Sequence, residues 1–426
     1  MTKLYFSKKK KKQEPRLFVI IGVLCLVFAL LLIGPYLYSK TRTVLPAFVA
    51  PSIADAEPVF TEAKRLFDQG EADKAEQALK PLLKGKDPVF TPRAVLLLAD
   101  IQIQRGQKEE ALKSLSEACD SFQGSVEYPN LVSRKAQLLE EAGQVEEARS
   151  IYESVRDNAP SEQRSSGLLG LGRLAERDGK LFAARDLYRE AVDGAPWGSA
   201  AWNEAVEEMG RLNVQLIFSS DESEESRYYT VESGDSLISI GIKLNTTQGL
   251  LVKANNISDV SRLTLGQRIK YTPKEFRIVI ERSTCSLYLL DSRGLFKRYH
   301  VGLGKTGHET ALGSYVLGNK QKDPTWFKPG AGPIPAGSPE NELGSRWMPM
   351  VPVKEGLPTD LGIHGTIAPD TVGQYSSMGC ARMTNTDVEE LFDLVVRSTP
   401  VDVVDVYKPE DDAVPAALPE QHAETQ

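Results

Sequence analysis

The hydrophobic pattern divides the chain before any chemistry is considered. Leu17 to Tyr38 is an unbroken apolar run without a charge. At about 1.5 Å per residue it is long enough for the ~30 Å hydrocarbon core of a bilayer. The basic cluster before it (Lys3, Lys8 to Lys12, Arg16) outweighs Lys40 and Arg42 after it. That asymmetry predicts a cytoplasmic tail over 1–16, an uncleaved transmembrane signal-anchor helix over 17–38 and export of the remaining chain. The small-residue triplet Ala54-Asp55-Ala56 lies too far beyond the apolar core to be its cleavage site. Residues 39–57, rich in Pro, Ala, Thr and Ser, read as a linker.

A different period takes over at residue 58. Gly70, Gly106, Gly143 and Gly179 recur at 36, 37 and 36 residues. Each is followed five residues on by Ala75, Ala111, Ala148 or Ala184, and four further on by Leu79, Leu115, Tyr152 or Tyr188. Each unit predicts two amphipathic helices joined at the glycine, the alanine letting them approach closely. The array over 58–218 resembles tetratricopeptide repeats. Such arrays present a concave surface, implying a protein partner there or, alternatively, a rigid spacer.

Residues 219–226 form an acidic linker. Beyond it, residues 227–273 predict strand, two short helices and strand. The motifs Gly234-Asp235-Ser236-Leu237, Ala254-Asn255-Asn256 and Leu265-Gly266-Gln267 make this βααβ unit resemble a LysM domain. The resemblance implies binding to N-acetylglucosamine-containing glycans such as peptidoglycan, in a groove around Gly234, Asp235, Ser236 and Asn255. The same residues also suit a turn and a helix cap.

From 274 to 408 the pattern is strand-like. Arg277–Ile280, Ser286–Leu290, Phe296–Val301 and Gly313–Leu317 alternate with turns, Pro324–Pro339 reads as a long loop, and Asn385–Val396 is the one clear helix. A disordered tail is expected over 409–426. The fold class is therefore multidomain: a transmembrane helix, an all-α repeat array, a small βααβ module and a mostly-β sandwich or barrel.

Composition narrows the function. Net charge is −7 despite the basic first sixteen residues, so the body is more acidic than the total, which argues against nucleic-acid binding. Cys25, Cys119, Cys285 and Cys380 show no CxxC spacing, and the four histidines show no metal-ligand spacing. No metal and no cofactor are expected.

One pair carries chemistry. His364, in Ile363-His364-Gly365, and Cys380, in Ser377-Met378-Gly379-Cys380-Ala381-Arg382, lie sixteen positions apart among glycines. A thiol becomes a strong nucleophile when a neighbouring imidazole takes its proton, so the pair predicts cysteine acyl transfer. In order and spacing these motifs resemble the L,D-transpeptidase (YkuD) catalytic family, as do Val301-Gly302-Leu303-Gly304-Lys305, Thr310-Ala311-Leu312-Gly313 and Leu343-Gly344-Ser345-Arg346-Trp347. Met378 stands where many members have histidine.

The resemblance implies that Cys380 is the nucleophile and His364 its base, with the Gly365 carbonyl fixing the imidazole. It implies oxyanion donors near Gly379 and Cys380, and substrate-side roles for Ser377, Gly379 and Arg382. The implied reaction releases the terminal D-alanine of a peptidoglycan tetrapeptide and passes the acyl group to an amine, making a 3-3 crosslink at the outer side of a bacterial inner membrane. Alternatives are an L,D-carboxypeptidase using water, and a catalytically silent peptidoglycan-binding scaffold. Papain-like endopeptidases place cysteine before histidine, the reverse of the order here.

Overall fold

The structure is a computed structural model that describes residues 53–409 apart from 329 and 331. The chain forms two compact units, one ending at Gln107 and one beginning at Lys108. The first contains helices α1 (Ile53–Asp68), α2 (Ala72–Leu83) and α3 (Phe90–Gln104). Its core gathers Ala63, Ala75, Leu79, Leu82, Ala94 and Ile101.

The second unit opens with α4 (Lys108–Ser121), α5 (Tyr128–Glu141), α6 (Val145–Asn158), α7 (Ser161–Arg177), α8 (Leu181–Gly194) and α9 (Ala200–Phe218). The four periodic glycines adopt φ between 74° and 83°, the left-handed conformation that reverses the chain between helices. The alanines and large residues that come after them are fully buried. Tyr152 and Tyr188 lie so close to Gly170 and Gly172 that a Cβ there would stand 2.4 and 2.3 Å from the rings. Their hydroxyls donate to Glu140 (3.0 Å) and Glu176 (2.7 Å), so each large buried ring keeps its polar end satisfied.

The expected transmembrane helix requires correction. Among the described residues no helix is long and apolar enough to cross a membrane. Helix α9 reaches 19 residues but carries Glu204, Glu207, Glu208 and Arg211. The apolar run 17–38 lies outside the described residues. The architecture is thus a helical repeat region, a LysM-like module and a mostly-β domain, and the described helices do not support a single-pass membrane localisation.

The small module pairs β1 (Arg227–Thr230) antiparallel with β2 (Arg268–Tyr271). Between them lie α10 (Leu237–Lys243) and α11 (Gln248–Ala254). Val231, Leu237, Ile240, Leu251 and Ile269 form its own small core.

The last domain is built on a sheet from β3 (Arg277–Glu281), β4 (Ser286–Asp291), β5 (Gly294–His300), β7 (Gly313–Leu317), β11 (Arg346–Pro352), β12 (Gly362–His364), β14 (Ala381–Arg382) and β15 (Pro400–Val404). Their order is β14-β12-β11-β7-β15-β3-β4-β5, with β8 (Gln321–Lys322) paired to β11. Two smaller pairs join β6 (Leu303–Gly304) to β13 (Tyr375–Ser377) and β9 (Trp326–Phe327) to β10 (Pro333–Ile334). The expected single helix is α12 (Asn385–Leu394); Val395 is already extended.

Strand β4 is buried at five consecutive positions, because both faces of the sheet are covered. Helix α9 lies against the β5 edge. Its Trp202 and Val206 join Val279, Tyr288 and Leu290, while Val214 and Ile217 join Ile278, Ile280, Leu287 and Leu289 on the alternate face. Gly210 permits the approach, since a Cβ there would meet Lys297 at 3.0 Å. Asn213 donates to the Phe296 carbonyl at 2.7 Å, satisfying an edge group that pairing would otherwise take.

The small module is joined to the same core. Leu250 and Ala254 of α11 are buried in the same cluster as Val214 and Ile217 of α9 and Leu391 and Leu394 of α12. Thr247 donates to the Asp393 carbonyl, and Lys253 lies 2.9 Å from the Asp393 carboxylate. Lys270 of β2 reaches back to the Ser219 carbonyl at 2.8 Å.

Candidate active site

The imidazole lies at the end of β12, and the thiol directly precedes the adjacent parallel strand β14. β12 pairs with β14 in the register Ile363↔Ala381 and His364↔Arg382. Ile363 and Ala381 are buried in the core. Side chains alternate along a strand, so His364 and Arg382 turn to the opposite face. Cys380 directly precedes Ala381 and falls on that face too. Gly362, one alternation before His364, leaves this face without a side chain there; a Cβ would stand 2.4 Å from the Trp347 ring.

His364 is buried, and its Nδ1 lies 2.6 Å from the Gly365 carbonyl. That carbonyl accepts only if Nδ1 carries the proton, which leaves Nε2 as the basic atom. Burial pushes the imidazole down to about 4; the Gly365 backbone opposes the shift, the Arg382 charge adds to it and the Glu342 backbone opposes it. The Trp347 ring lies 5.7 Å from the imidazole, centroid to centroid, on the neighbouring strand β11.

Cys380 is partly exposed. Burial of its sulfur pushes the thiol up to about 11, against the Gly362 backbone and the Arg382 charge and together with the Asp360 charge. At rest the pair is therefore a neutral thiol and a neutral imidazole. Ser377 is buried, and its hydroxyl donates to the Cys380 carbonyl at 2.7 Å while accepting the Gly379 N–H at 3.1 Å. This clamps the turn that bears the nucleophile. Gly379 has φ of 120°, which a side chain at that position would resist. The Gly379 N–H is thus committed to Ser377. Arg382 meets Glu342 at 3.2 Å and exchanges backbone bonds of 2.8 Å with Gly302, bracing the loop before β11. Met378 is 61% exposed.

Trp347, which the sequence marks only as part of a motif, places its ring beside His364 and over Gly362. Glu342, the partner of Arg382, is a further residue of the site. No local motif marks Glu342, because the contact joins a loop to strands distant in the chain. Cys119 and Cys285 are buried, and burial raises both thiols.

The residues singled out in the small module serve their own fold. Gly234 takes φ of 89° at the turn. Asp235 accepts from Tyr229 (2.8 Å), Lys243 (2.9 Å) and the Glu232 N–H (2.9 Å), and these bonds, led by Lys243, hold its carboxyl down to about 2. Ser236 caps α10 in a reciprocal box with Ser239. Asn255 brackets Lys270 of β2, donating to its carbonyl at 2.8 Å and accepting its N–H at 2.7 Å.

Three family descriptions match in chain order: a tetratricopeptide repeat-like domain over 56–176, a LysM domain over 229–272 and an L,D-transpeptidase catalytic domain over 275–403. Among relatives, the Bacillus subtilis protein named provisionally as L,D-transpeptidase YkuD is 31% identical over 183 residues, which is 41% of this chain and 97% of that one. Its counterpart in Bacillus licheniformis is 29% identical over 181 residues, covering 41% and 97%. The Bacillus subtilis protein named provisionally as L,D-transpeptidase YqjB is 32% identical over 136 residues, covering 31% and 73%. With an imidazole on β12, a thiol just before its partner strand β14, and a relative 31% identical over 97% of its length, this chain belongs to the YkuD family of L,D-transpeptidases.

Proposed function

We propose that the chain is a peptidoglycan L,D-transpeptidase in which Cys380 is the nucleophile and His364 the general base. The observation that carries this reading is the parallel pairing of β12 with β14, which sets a Nδ1-anchored imidazole beside the strand end bearing the thiol. Cys380 attacks the carbonyl before the terminal D-alanine of a tetrapeptide stem as its thiol proton passes to His364 Nε2. The tetrahedral oxyanion is held by the Cys380 N–H, because the Gly379 N–H already serves Ser377. Collapse breaks the amide; His364 returns the proton to the leaving D-alanine amine, and a thioester remains on Cys380. An acceptor amine then gives a proton to His364 and displaces the thiolate sulfur, which recovers that proton. The product is a 3-3 crosslink.

The LysM-like module supports peptidoglycan as the substrate. Because Asp235, Ser236 and Asn255 are engaged internally, the glycan is read there through the exposed turn around Gly234. Peptidoglycan lies outside the cytoplasm, and so does this reaction.

The test is mass spectrometry of disaccharide-tetrapeptides incubated with the full chain and with Cys380→Ala. Crosslinked 3-3 dimers formed by the first protein alone support the reading. Tripeptides without dimers make water the acceptor, and equal turnover by the variant overturns the role of Cys380.

A further inference from the structure

We propose that Asn385 is a positioning residue for catalysis, acting on His364 through the Gly365–Thr366 peptide unit. This rests on the reading of His364 as the base. The carbonyl of that unit lies 2.6 Å from His364 Nδ1. Its N–H, on Thr366, donates to Asn385 Oδ1 at 3.2 Å. The same oxygen accepts the Ser345 N–H at 3.1 Å, and Asn385 Nδ2 donates to the Thr366 carbonyl at 3.1 Å. Both ends of the amide are thus bonded to Thr366, on the loop that leaves the base, and its oxygen also holds Ser345.

Two glycines make room for this amide. A Cβ on Gly365 would stand 2.2 Å from Asn385 Oδ1, and one on Gly344 would stand 2.3 Å from it. Two separate stretches of chain, 344–345 and 365–366, therefore converge on one oxygen of a third. Helix capping does not explain it, because Thr384 already caps α12 by accepting the Asp387 N–H. Core packing does not explain it either, since Asn385 is exposed.

The physical effect comes from the peptide bond. A planar unit pinned at its N–H cannot swing its carbonyl away from the imidazole. Hydrogen bonding at the N–H also polarises the carbonyl and strengthens it as an acceptor. Asn385 thus supplies, through one peptide, the orientation that a carboxylate supplies directly in a serine triad.

The experiment measures kcat, KM and the pH profile of the full chain on disaccharide-tetrapeptide, for wild type, Asn385→Ala, Asn385→Asp and Cys380→Ala, with circular dichroism to verify folding. Expected for Asn385→Ala is a kcat reduced about tenfold to a hundredfold with KM held within about twofold. Asn385→Asp keeps both acceptor bonds, so kcat recovers. Its added negative charge moves the acid limb of kcat/KM to higher pH. If the alanine variant fails to fold, the aspartate variant alone decides by that shift. Wild-type kcat in Asn385→Ala, or equal impairment by Ala and Asp without a shifted limb, overturns the inference. Turnover by Cys380→Ala would instead overturn the reading of the site on which it rests.

Discussion

The carbonyl oxygen of Gly365 lies 2.6 Å from Nδ1 of His364, the residue immediately before it. The base is therefore oriented by its own backbone and held neutral by burial. In the unfolded chain the imidazole has its ordinary value of about 6.5, whereas the folded value is about 4. Between these the unfolded state binds more protons. The contribution to stability is complete above the ordinary value and is lost as pH falls toward 4, by roughly 3 kcal/mol. Urea unfolding at pH 7 and pH 4.5 should show a smaller acid loss for His364→Gln than for wild type. Equal losses would contradict the buried neutral imidazole.

The thiol behaves in the opposite direction. Cys380 is pushed up to about 11, so iodoacetamide should modify it slowly at pH 7 and faster through pH 9 to 11. The stability that its protonated form contributes is present below its ordinary value and is lost as pH rises above it. A modification rate that levels off below pH 8 would mean a resting thiolate, contrary to this geometry.

Gly362→Ala should damage the site without touching either reacting residue. The new Cβ would stand 2.4 Å from the Trp347 ring, which itself lies beside His364. Overpacking of this kind costs about 1–3 kcal/mol. A thermal melt should fall and kcat should drop with it; unchanged values for both would show that Trp347 moves aside freely.

Leu250→Ala tests whether the small module is a separate body. Leu250 is 1% exposed and sits in the catalytic core rather than the module's own. Its truncation should cost about 2–5 kcal/mol and lower the melt of the catalytic domain in one transition. Lys253→Ala, which removes a partly exposed ion pair to Asp393, should cost under about 1 kcal/mol. Two transitions with an unaltered catalytic melt would refute the shared core.

The chain's letters reveal local features. The glycine period of the repeats shows because each unit repeats the same turn and the same buried alanine. The order His364 before Cys380 shows because both sit in short motifs. Nothing local marks Asn385, Glu342 or Trp347, whose significance depends on strands brought together from distant positions. Nor does the pattern of α11 disclose two cores: Leu251 belongs to the module's own cluster, while Leu250 and Ala254 belong to the catalytic one. The apolar run 17–38 is a clear local signal that lies outside the described residues.

The sharing of α11 between two cores has a mechanical consequence. A wall-binding module on a flexible tether would let the thiol sample every stem within reach of the leash. Here the module and the catalytic domain share buried residues of α11 and bonds to Asp393, so a glycan strand held by the module would stand in a restricted relation to the thiol. The shared core then acts as a short mechanical link, and loosening it would widen the range of positions open to Cys380 relative to the module.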